Sequence, residues 1–218
     1  MSEKILAPSL LAYDNCRISE GIKIIENFPA KWIHIDVMDG MFVPGIAFGQ
    51  IAVADMRKLT NLFLDVHLMV QNPECLIQSF ADAGADMLTF HCESSANVEK
   101  IIGSVKSFGL PVGIAINPET PVSAIEKYLR KVDVALVMSV HPGKCGQEFL
   151  PSAVEKIGQL EAVREKFNLG FKISVDGGIN RETMRIASSA GADIFVSGKA
   201  FFENPEQFRS MAYPDGDT

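Results

Sequence analysis

The chain has 218 residues, of which 47% are hydrophobic and 22% charged, and its formal net charge is −7. This composition is typical of a globular protein, and the negative charge argues against nucleic acid as a partner, because binding to phosphate backbones requires a concentrated basic surface. Four scattered cysteines without a CxxC pair favour reduced thiols in a cytoplasmic protein over a disulfide framework or a zinc ribbon. No apolar run approaches the roughly 20 residues of a membrane span, so we expect no membrane association. We predict one domain over residues 1–218.

Short β-branched segments alternate with longer amphipathic segments along the chain. In chain order, the predicted strands cover residues 4–10, 32–37, 62–69, 86–91, 111–117, 134–140, 171–176 and 193–198. Each is followed by a predicted helix, and the helical patterns are clearest at 74–85, 97–109 and 152–167. Alternating strands and helices predict an α/β fold with a parallel sheet, and eight such units predict a (β/α)8 TIM barrel of roughly 200 to 250 residues. A doubly wound open sheet is the alternative, but it usually has fewer strands, and no GxGxxG motif follows the first strand.

Polar side chains lie near the ends of several predicted strands, although strands of a parallel sheet are buried on both faces. The residues that share such a face are His34, Asp36 and Met38; Asp65, His67 and Met69; Thr89 and His91; Asn117; and Ser174 and Asp176. A single polar residue there would be explained as a hydrogen-bonded core residue. Several strands ending this way favour a metal site, because barrel active sites lie at the carboxyl ends of the strands. Imidazole and carboxylate together suit zinc, iron, manganese or cobalt.

Glycine-rich segments follow the last three predicted strands. HPGKCGQ follows the sixth strand, DGGIN the seventh and SG the eighth. Backbone N–H groups in such turns bind phosphate, and barrel enzymes frequently place phosphate in the loops after strands seven and eight. One glycine pair would be explained by an ordinary turn. Three adjacent loops predict a phosphate-binding site.

The segments APSLL, HIDVMDGMFVP, HLMV, INPET, VMSVHPG and VDGGI resemble, in order and over essentially the whole chain, those of the ribulose-phosphate 3-epimerase family. The resemblance implies a TIM barrel of the ribulose-phosphate binding type with one divalent metal ion (Zn, Fe, Mn or Co). It also implies a small-molecule ketose phosphate as substrate, inverted at C3 between D-ribulose 5-phosphate and D-xylulose 5-phosphate. A homo-oligomer is the expected assembly.

Carried over residue by residue, the resemblance implies roles for individual side chains. His34, Asp36, His67 and Asp176 would be the metal ligands, and Asp36 and Asp176 would also transfer protons on opposite faces of C3 through a cis-2,3-enediolate. The implied substrate contacts are Ser9, Met38, His67, Met69, Met138, Gly143, Lys144, Cys145, Gly146, Gly177, Gly178, Ser197 and Gly198. His91 receives no ligand role and is interpreted as a supporting or packing residue.

Several positions depart from the usual pattern of that family, namely Gly45, Glu119, His141 and the pair Lys144 and Cys145. Cys145 would be strained if its φ were positive, as at a glycine. None of these positions is an implied metal ligand, so they bear on the choice of substrate. The segment INPET resembles that of relatives that act on D-allulose 6-phosphate. That activity and a non-catalytic sugar-phosphate-binding barrel are the alternatives. A lyase of the orotidine-phosphate type is disfavoured, since HIDVMD lacks the lysine of its DxKxxD motif.

Overall fold

Eight parallel strands form the centre of the computed structural model, which describes residues 4–95 and 97–209. With one short antiparallel strand, they make up a sheet of nine strands in these residues, namely β1 (Ile5–Pro8), β2 (Trp32–Asp39), β3 (Ile46–Ala47), β4 (Phe63–Met69), β5 (Met87–His91), β6 (Val112–Ile116), β7 (Val134–Met138), β8 (Lys172–Asp176) and β9 (Ile194–Ser197). Their order is β1-β9-β8-β7-β6-β5-β4-β2-β3, and only the two-residue β3 runs antiparallel, against the end of β2. All eight predicted strands are confirmed, with ends that differ from the prediction by at most two residues.

The barrel closes between its first two strands. Ser9 forms a parallel bridge with His34, which joins β1 to β2. The backbone N–H of Ser9 also donates to the carbonyl of Ser197 at the end of β9, over 3.0 Å. Ser9 therefore contacts both neighbouring strands, and the predicted closed barrel is confirmed over the doubly wound alternative.

Within residues 4–95 and 97–209, seven α-helices accompany the strands. They are α1 (Ile18–Asn27), α2 (Gln50–Leu59), α3 (Ile77–Asp82), α4 (Val98–Ser107), α5 (Ser152–Phe167), α6 (Arg181–Ser189) and α7 (Lys199–Glu203). The connection between β6 and β7 departs from the prediction of a helix after each strand, because it contains two 3-10 turns, Val122–Ala124 and Glu126–Tyr128. Pro118 and Pro121 stand at the start of this connection and remove two backbone donors that a regular helix would use.

The two faces of β2 have different surroundings, as the alternation of its residues predicts. Ile33, Ile35 and Val37 are buried in the main apolar core with side chains of the surrounding helices, such as Ile22 of α1. Each such burial stabilises the fold by about 1.5–3 kcal/mol. His34 and Asp36 point the opposite way, into the barrel. A larger buried apolar layer thus holds a polar group of side chains at the barrel centre.

The barrel interior changes character along its axis. At the amino-terminal ends of the strands, the Trp32 and Phe63 rings stack 4.2 Å apart and pack against a small apolar cluster that includes Met87 and Val134. The polar side chains lie at the carboxyl ends. In the part of the chain that the structure describes, no helix combines the length and apolarity needed to cross a bilayer.

Candidate active site

Four side chains from three strands converge at the carboxyl end of the barrel. His34 and Asp36 come from β2, His67 from β4 and Asp176 from β8, and one donor atom of each lies within 4.8 Å of the other three. His34 Nε2 and His67 Nδ1 are 3.3 Å apart, and Asp36 Oδ1 lies 3.3 Å from the first and 3.2 Å from the second. Asp176 Oδ2 lies 3.9 and 3.8 Å from the same two nitrogens. We call these four residues the donor cluster.

The spacing of the donor cluster fits a divalent metal ion. Donor atoms placed tetrahedrally at bond lengths of about 2.0–2.1 Å lie roughly 3.4 Å apart, close to the observed separations. The outward nitrogens of both histidines already have partners, because His34 Nδ1 lies 2.7 Å from Asp65 Oδ2 and His67 Nε2 lies 2.9 Å from His91 Nε2. The inward nitrogens and two carboxylate oxygens then face one another. Such a set of electron-pair donors could hold a cation between them.

The pKa values of the two carboxylates move in opposite directions. Burial favours the protonated form of Asp36, but the neighbouring His34 and His67 rings outweigh it and hold the pKa well below its usual range. Burial, followed by the nearby Asp36 carboxylate, raises the pKa of Asp176 to about 7, although His34 opposes the rise. The two groups therefore differ in their affinity for a proton.

The pKa values of the histidines differ as well. Burial acts to lower the pKa of His34, but the carboxylates of Asp36 and Asp65 outweigh it and raise that pKa well above its ordinary value. Burial lowers the pKa of His67, and it lowers that of His91 to about 4. The carboxylates thus favour positive charge at the His34 ring.

Each aspartate of the donor cluster is held by a serine. The Ser9 hydroxyl donates to Asp36 Oδ2 over 2.5 Å, which leaves Oδ1 directed at the histidines. The N–H and the hydroxyl of Ser139 donate to the Asp176 carbonyl over 2.8 and 2.9 Å, which fixes the end of β8. Asp176 retains 15% exposure of its side chain, against 5% for Asp36. Ser9, predicted to contact the substrate, thus has Asp36 as its partner.

A cavity of about 560 Å³ opens directly above the donor cluster. Asp36 and Asp176 line it, together with most of the predicted substrate contacts: Ser9, Met38, Met69, Met138, Gly143, Lys144, Cys145, Gly146, Gly177, Gly178 and Gly198. His67 and Ser197 are not among the lining residues. Ser197 is fully buried, and its hydroxyl donates to the Ile179 carbonyl over 2.8 Å.

The three methionines form an apolar part of the cavity wall. Met38 and Met69 are 5% and 2% exposed and pack with Val43, whereas Met138 packs with a separate apolar cluster that includes Val140. Their side chains therefore serve both the core and the cavity. An apolar wall beside two carboxylates excludes water and strengthens the electrostatic interactions between charges there.

The glycine loop after β8 has a backbone that only glycine fits at two positions, both facing the loop after β7. Gly177 has φ +118°, and a Cβ there would lie 2.4 Å from a Val140 side-chain carbon. Gly178 has φ +62°, and a Cβ there would lie 2.5 Å from the backbone nitrogen of Phe149. Among the described non-glycine residues, only Phe48, Asn72 and Asn168 have positive φ, so Cys145 carries no such strain.

The sequence assigned no role to Asp65 and Glu93, two side chains that support the donor cluster, and it interpreted a third, His91, as a supporting or packing residue. Asp65 shares a strand face with His67, and that alternation was a usable signal for its contact with His34. His91 also lies on an inward face, at the end of β5. Glu93 lies outside any regular strand, in the 3-10 turn Cys92–Ser94, and no periodic pattern points to it.

The fold and this site together define a (β/α)8-barrel enzyme with two histidines and two carboxylates beneath a glycine-lined cavity. Comparison of sequences identifies the group within that class. The chain belongs to the ribulose-phosphate 3-epimerase family, whose profile matches residues 5–202. It is 44% identical over 197 residues to a ribulose-phosphate 3-epimerase of Treponema pallidum, covering 90% of each chain. It is 39% identical over 208 residues to one of Bacillus subtilis, covering 95% of this chain and 96% of that one.

Solved structures share the barrel at much lower sequence identity. KGPDC from Streptococcus mutans superimposes with a TM-score of 0.69 at 15% identity, covering 98% of this chain and 97% of that chain. A tryptophan synthase α-subunit from Pyrococcus furiosus gives a TM-score of 0.68 at 12% identity, with coverage of 98% and 97%. These similarities concern the fold. The predicted family and the predicted class, an epimerase, are confirmed by the sequence relatives.

Proposed function

We propose that this protein interconverts D-ribulose 5-phosphate and D-xylulose 5-phosphate by inverting the configuration at C3, with Asp36 and Asp176 as the proton-transfer groups. The observation that carries the proposal is the placement of both carboxylates at one cavity, on strands β2 and β8, in a chain of the ribulose-phosphate 3-epimerase family. Epimerisation requires one group to remove the C3 proton from one face and a second to return it to the opposite face.

The surrounding side chains prepare these two carboxylates for proton transfer. Ser9 holds Asp36 Oδ2 by its hydrogen bond, and Ser139 fixes the backbone that carries Asp176. Met38, Met69 and Met138 exclude water from the reacting carbons, so that the proton removed is exchanged through the aspartates. The difference in proton affinity between the two carboxylates suits one ionised and one protonated group.

A divalent ion held by His34, Asp36, His67 and Asp176 would act as a Lewis acid that stabilises the negative charge of the enediolate. Zinc, iron, manganese and cobalt all suit this donor set. The backbones of Gly143 to Gly146, Gly177, Gly178 and Gly198 would bind the substrate phosphate, with Lys144 beside it. The homo-oligomer implied by the family resemblance remains a prediction that light scattering of the purified protein will test.

D-Allulose 6-phosphate remains a weaker alternative substrate. Glu119 and His141, two of the sequence departures that raised it, lie 3.2 Å apart as an exposed pair and are not lining residues of the cavity. Both sugars are to be assayed side by side in D2O, after chelation and reloading with each candidate metal. We expect metal-dependent turnover of the pentose phosphate with deuterium entering C3. A protein that binds the sugar without washing deuterium into C3 would be a non-catalytic binder.

Replacing one carboxylate tests the assignment of the two acid–base groups. Asp176→Asn keeps the size of the side chain and removes its ability to accept the proton, so we expect turnover to fall by about 10²–10⁴-fold. Circular dichroism and thermal unfolding are expected to show an intact barrel. Asp55→Asn, which changes an exposed carboxylate of α2, is the matched control. Near-normal turnover in Asp176→Asn would refute the two-carboxylate mechanism.

A further inference from the structure

A chain of polar side chains extends from the buried donor cluster to the partly exposed loop after β6. His67 Nε2 lies 2.9 Å from His91 Nε2. His91 Nδ1 is buried without a hydrogen bond of normal geometry, and Glu93 Oε2 lies 3.4 Å from it, within ion-pair distance. Glu93 Oε1 accepts hydrogen bonds from the Asn117 N–H, over 2.8 Å, and from the Thr120 hydroxyl. His67 and His91 are completely buried, so water does not compete at their shared contact. We call His91 and Glu93 the relay.

We propose that the relay positions His67 for metal binding by fixing which of its ring nitrogens carries the proton. The inference rests on the proposed metal site and adds two residues to it. Neither residue belongs to the donor cluster or lines the cavity, so both act through His67.

The direction in which the relay donates its protons, from His67 through His91 to Glu93, follows from the chemistry of the Glu93 carboxylate. An ionised carboxylate only accepts hydrogen bonds, so Glu93 requires the proton of His91 to sit on Nδ1. His91 Nε2 then has a lone pair and accepts from His67 Nε2–H. The remaining nitrogen of His67, Nδ1, is left with its lone pair directed at the donor cluster, as a metal ligand requires.

Glu93 is itself held in place by the loop after β6. Lys156 donates from Nζ to the carbonyls of Asn117, Pro118 and Thr120 over 2.8, 2.6 and 2.7 Å. These bonds fix the backbone whose Asn117 N–H and Thr120 hydroxyl occupy Glu93 Oε1. Only Oε2 of the carboxylate therefore faces His91, and its position is fixed by groups outside the donor cluster.

The second histidine of the cluster is fixed differently. His34 Nδ1 contacts the Asp65 carboxylate directly, over 2.7 Å, whereas His67 reaches its carboxylate through another imidazole. A purely structural role for His91 would not require a carboxylate behind it. The relay gives His67 the same proton arrangement that Asp65 gives His34.

Glu93→Gln tests the proposal because it preserves the shape of the side chain and replaces one accepting oxygen with a donating NH2 group. The Asn117 N–H and the Thr120 hydroxyl would continue to occupy the side-chain oxygen, so the new NH2 group would face His91 Nδ1. His91 would then carry its proton on Nε2, and His67 would carry its proton on Nδ1, facing the metal site. We expect the dissociation constant for Co²⁺ to rise about 10–100-fold.

Thr120→Val is the matched control, since it removes a hydrogen bond from the same carboxylate and leaves the contact with His91 intact. Its Co²⁺ affinity is expected to stay within about twofold of the wild-type value, because the protons of His91 and His67 stay on the same ring nitrogens. Nitrogen-15 NMR of the histidine rings in the zinc-loaded wild-type protein is expected to show the His91 proton on Nδ1. That measurement needs no variant, so it decides the proposal even if Glu93→Gln does not fold.

The outcomes separate the relay from the metal site. If the wild-type protein binds Co²⁺, two results would overturn the relay alone. The first is an equal Co²⁺ affinity in Glu93→Gln, and the second is a His91 proton on Nε2 in the wild-type protein. A wild-type protein that binds no Co²⁺ would overturn the proposed metal site and the relay with it.

Discussion

The two sides of the cavity use different parts of the chain. Beneath it, β2, β4 and β8 contribute buried side chains whose hydrogen-bonding partners are other side chains, such as Asp65 behind His34. Around its rim, the loops after β7, β8 and β9 contribute mainly backbone, shaped by glycines such as Gly177 and Gly178. The first region is suited to a cation and proton transfer, and the second to an anion. A substrate that has a reacting carbon at one end and a phosphate at the other needs both.

Changing Asp65 tests whether the side-chain region acts separately from the loops. Asp65→Asn leaves a neutral oxygen or amide facing His34 Nδ1, so the ring loses its charged partner. We expect metal affinity to fall about 10–100-fold, measured by titration of the chelated protein. The KM for substrate in metal-saturated protein is expected to be unchanged. Equal damage to both quantities would show that the two regions are coupled.

A substitution in the loop after β8 should produce the converse result. In Gly178→Ala the added methyl would meet the backbone of Phe149, and φ is positive there, so the loop must shift at a cost of about 1–3 kcal/mol. We expect KM to rise about tenfold, as 1.4 kcal/mol of lost binding would produce, while Co²⁺ affinity stays at the wild-type value. Gly158→Ala, in the middle of α5 with no neighbour near the added methyl, is the control. An unchanged KM would remove the loop after β8 from the proposed phosphate site.

Lys144 gives the smallest expected effect because it is exposed beside the cavity. Lys144→Met retains most of the side-chain length and removes the charge, so we expect KM to rise about twofold to fivefold. The difference should shrink at high salt, which screens an exposed charge. Lys144→Arg keeps the charge and is expected to behave as wild type. A KM for Lys144→Met that matches wild type at low salt would contradict a phosphate contact.

The fold and the donor cluster were predictable because both depend on the alternation of residues along strands. Strand alternation placed His34, Asp36, His67 and Asp176 on polar inward faces, and the family resemblance selected these four as the implied ligands. Glu93 was not predictable in this way, because its place behind His91 depends on the loop after β6, which is 24 residues further along the chain. Ser197 fits the glycine-loop pattern by position, yet its hydroxyl is bound to the Ile179 carbonyl, a contact between chain segments that no local pattern encodes.

The closing contact of the barrel links Asp36, the proposed acid–base group, to the first and last strands. Ser9 forms a β-bridge with His34. Its N–H donates a hydrogen bond to the Ser197 carbonyl, and its hydroxyl donates one to Asp36. The pairing of Ile5 with Ile194 spans almost the whole sequence, and contacts of such long range are slow to form. A chain whose first strand has not yet docked therefore lacks the hydrogen-bond partner of Asp36, the proposed acid–base group. During refolding, the return of epimerase activity would report completion of the barrel itself.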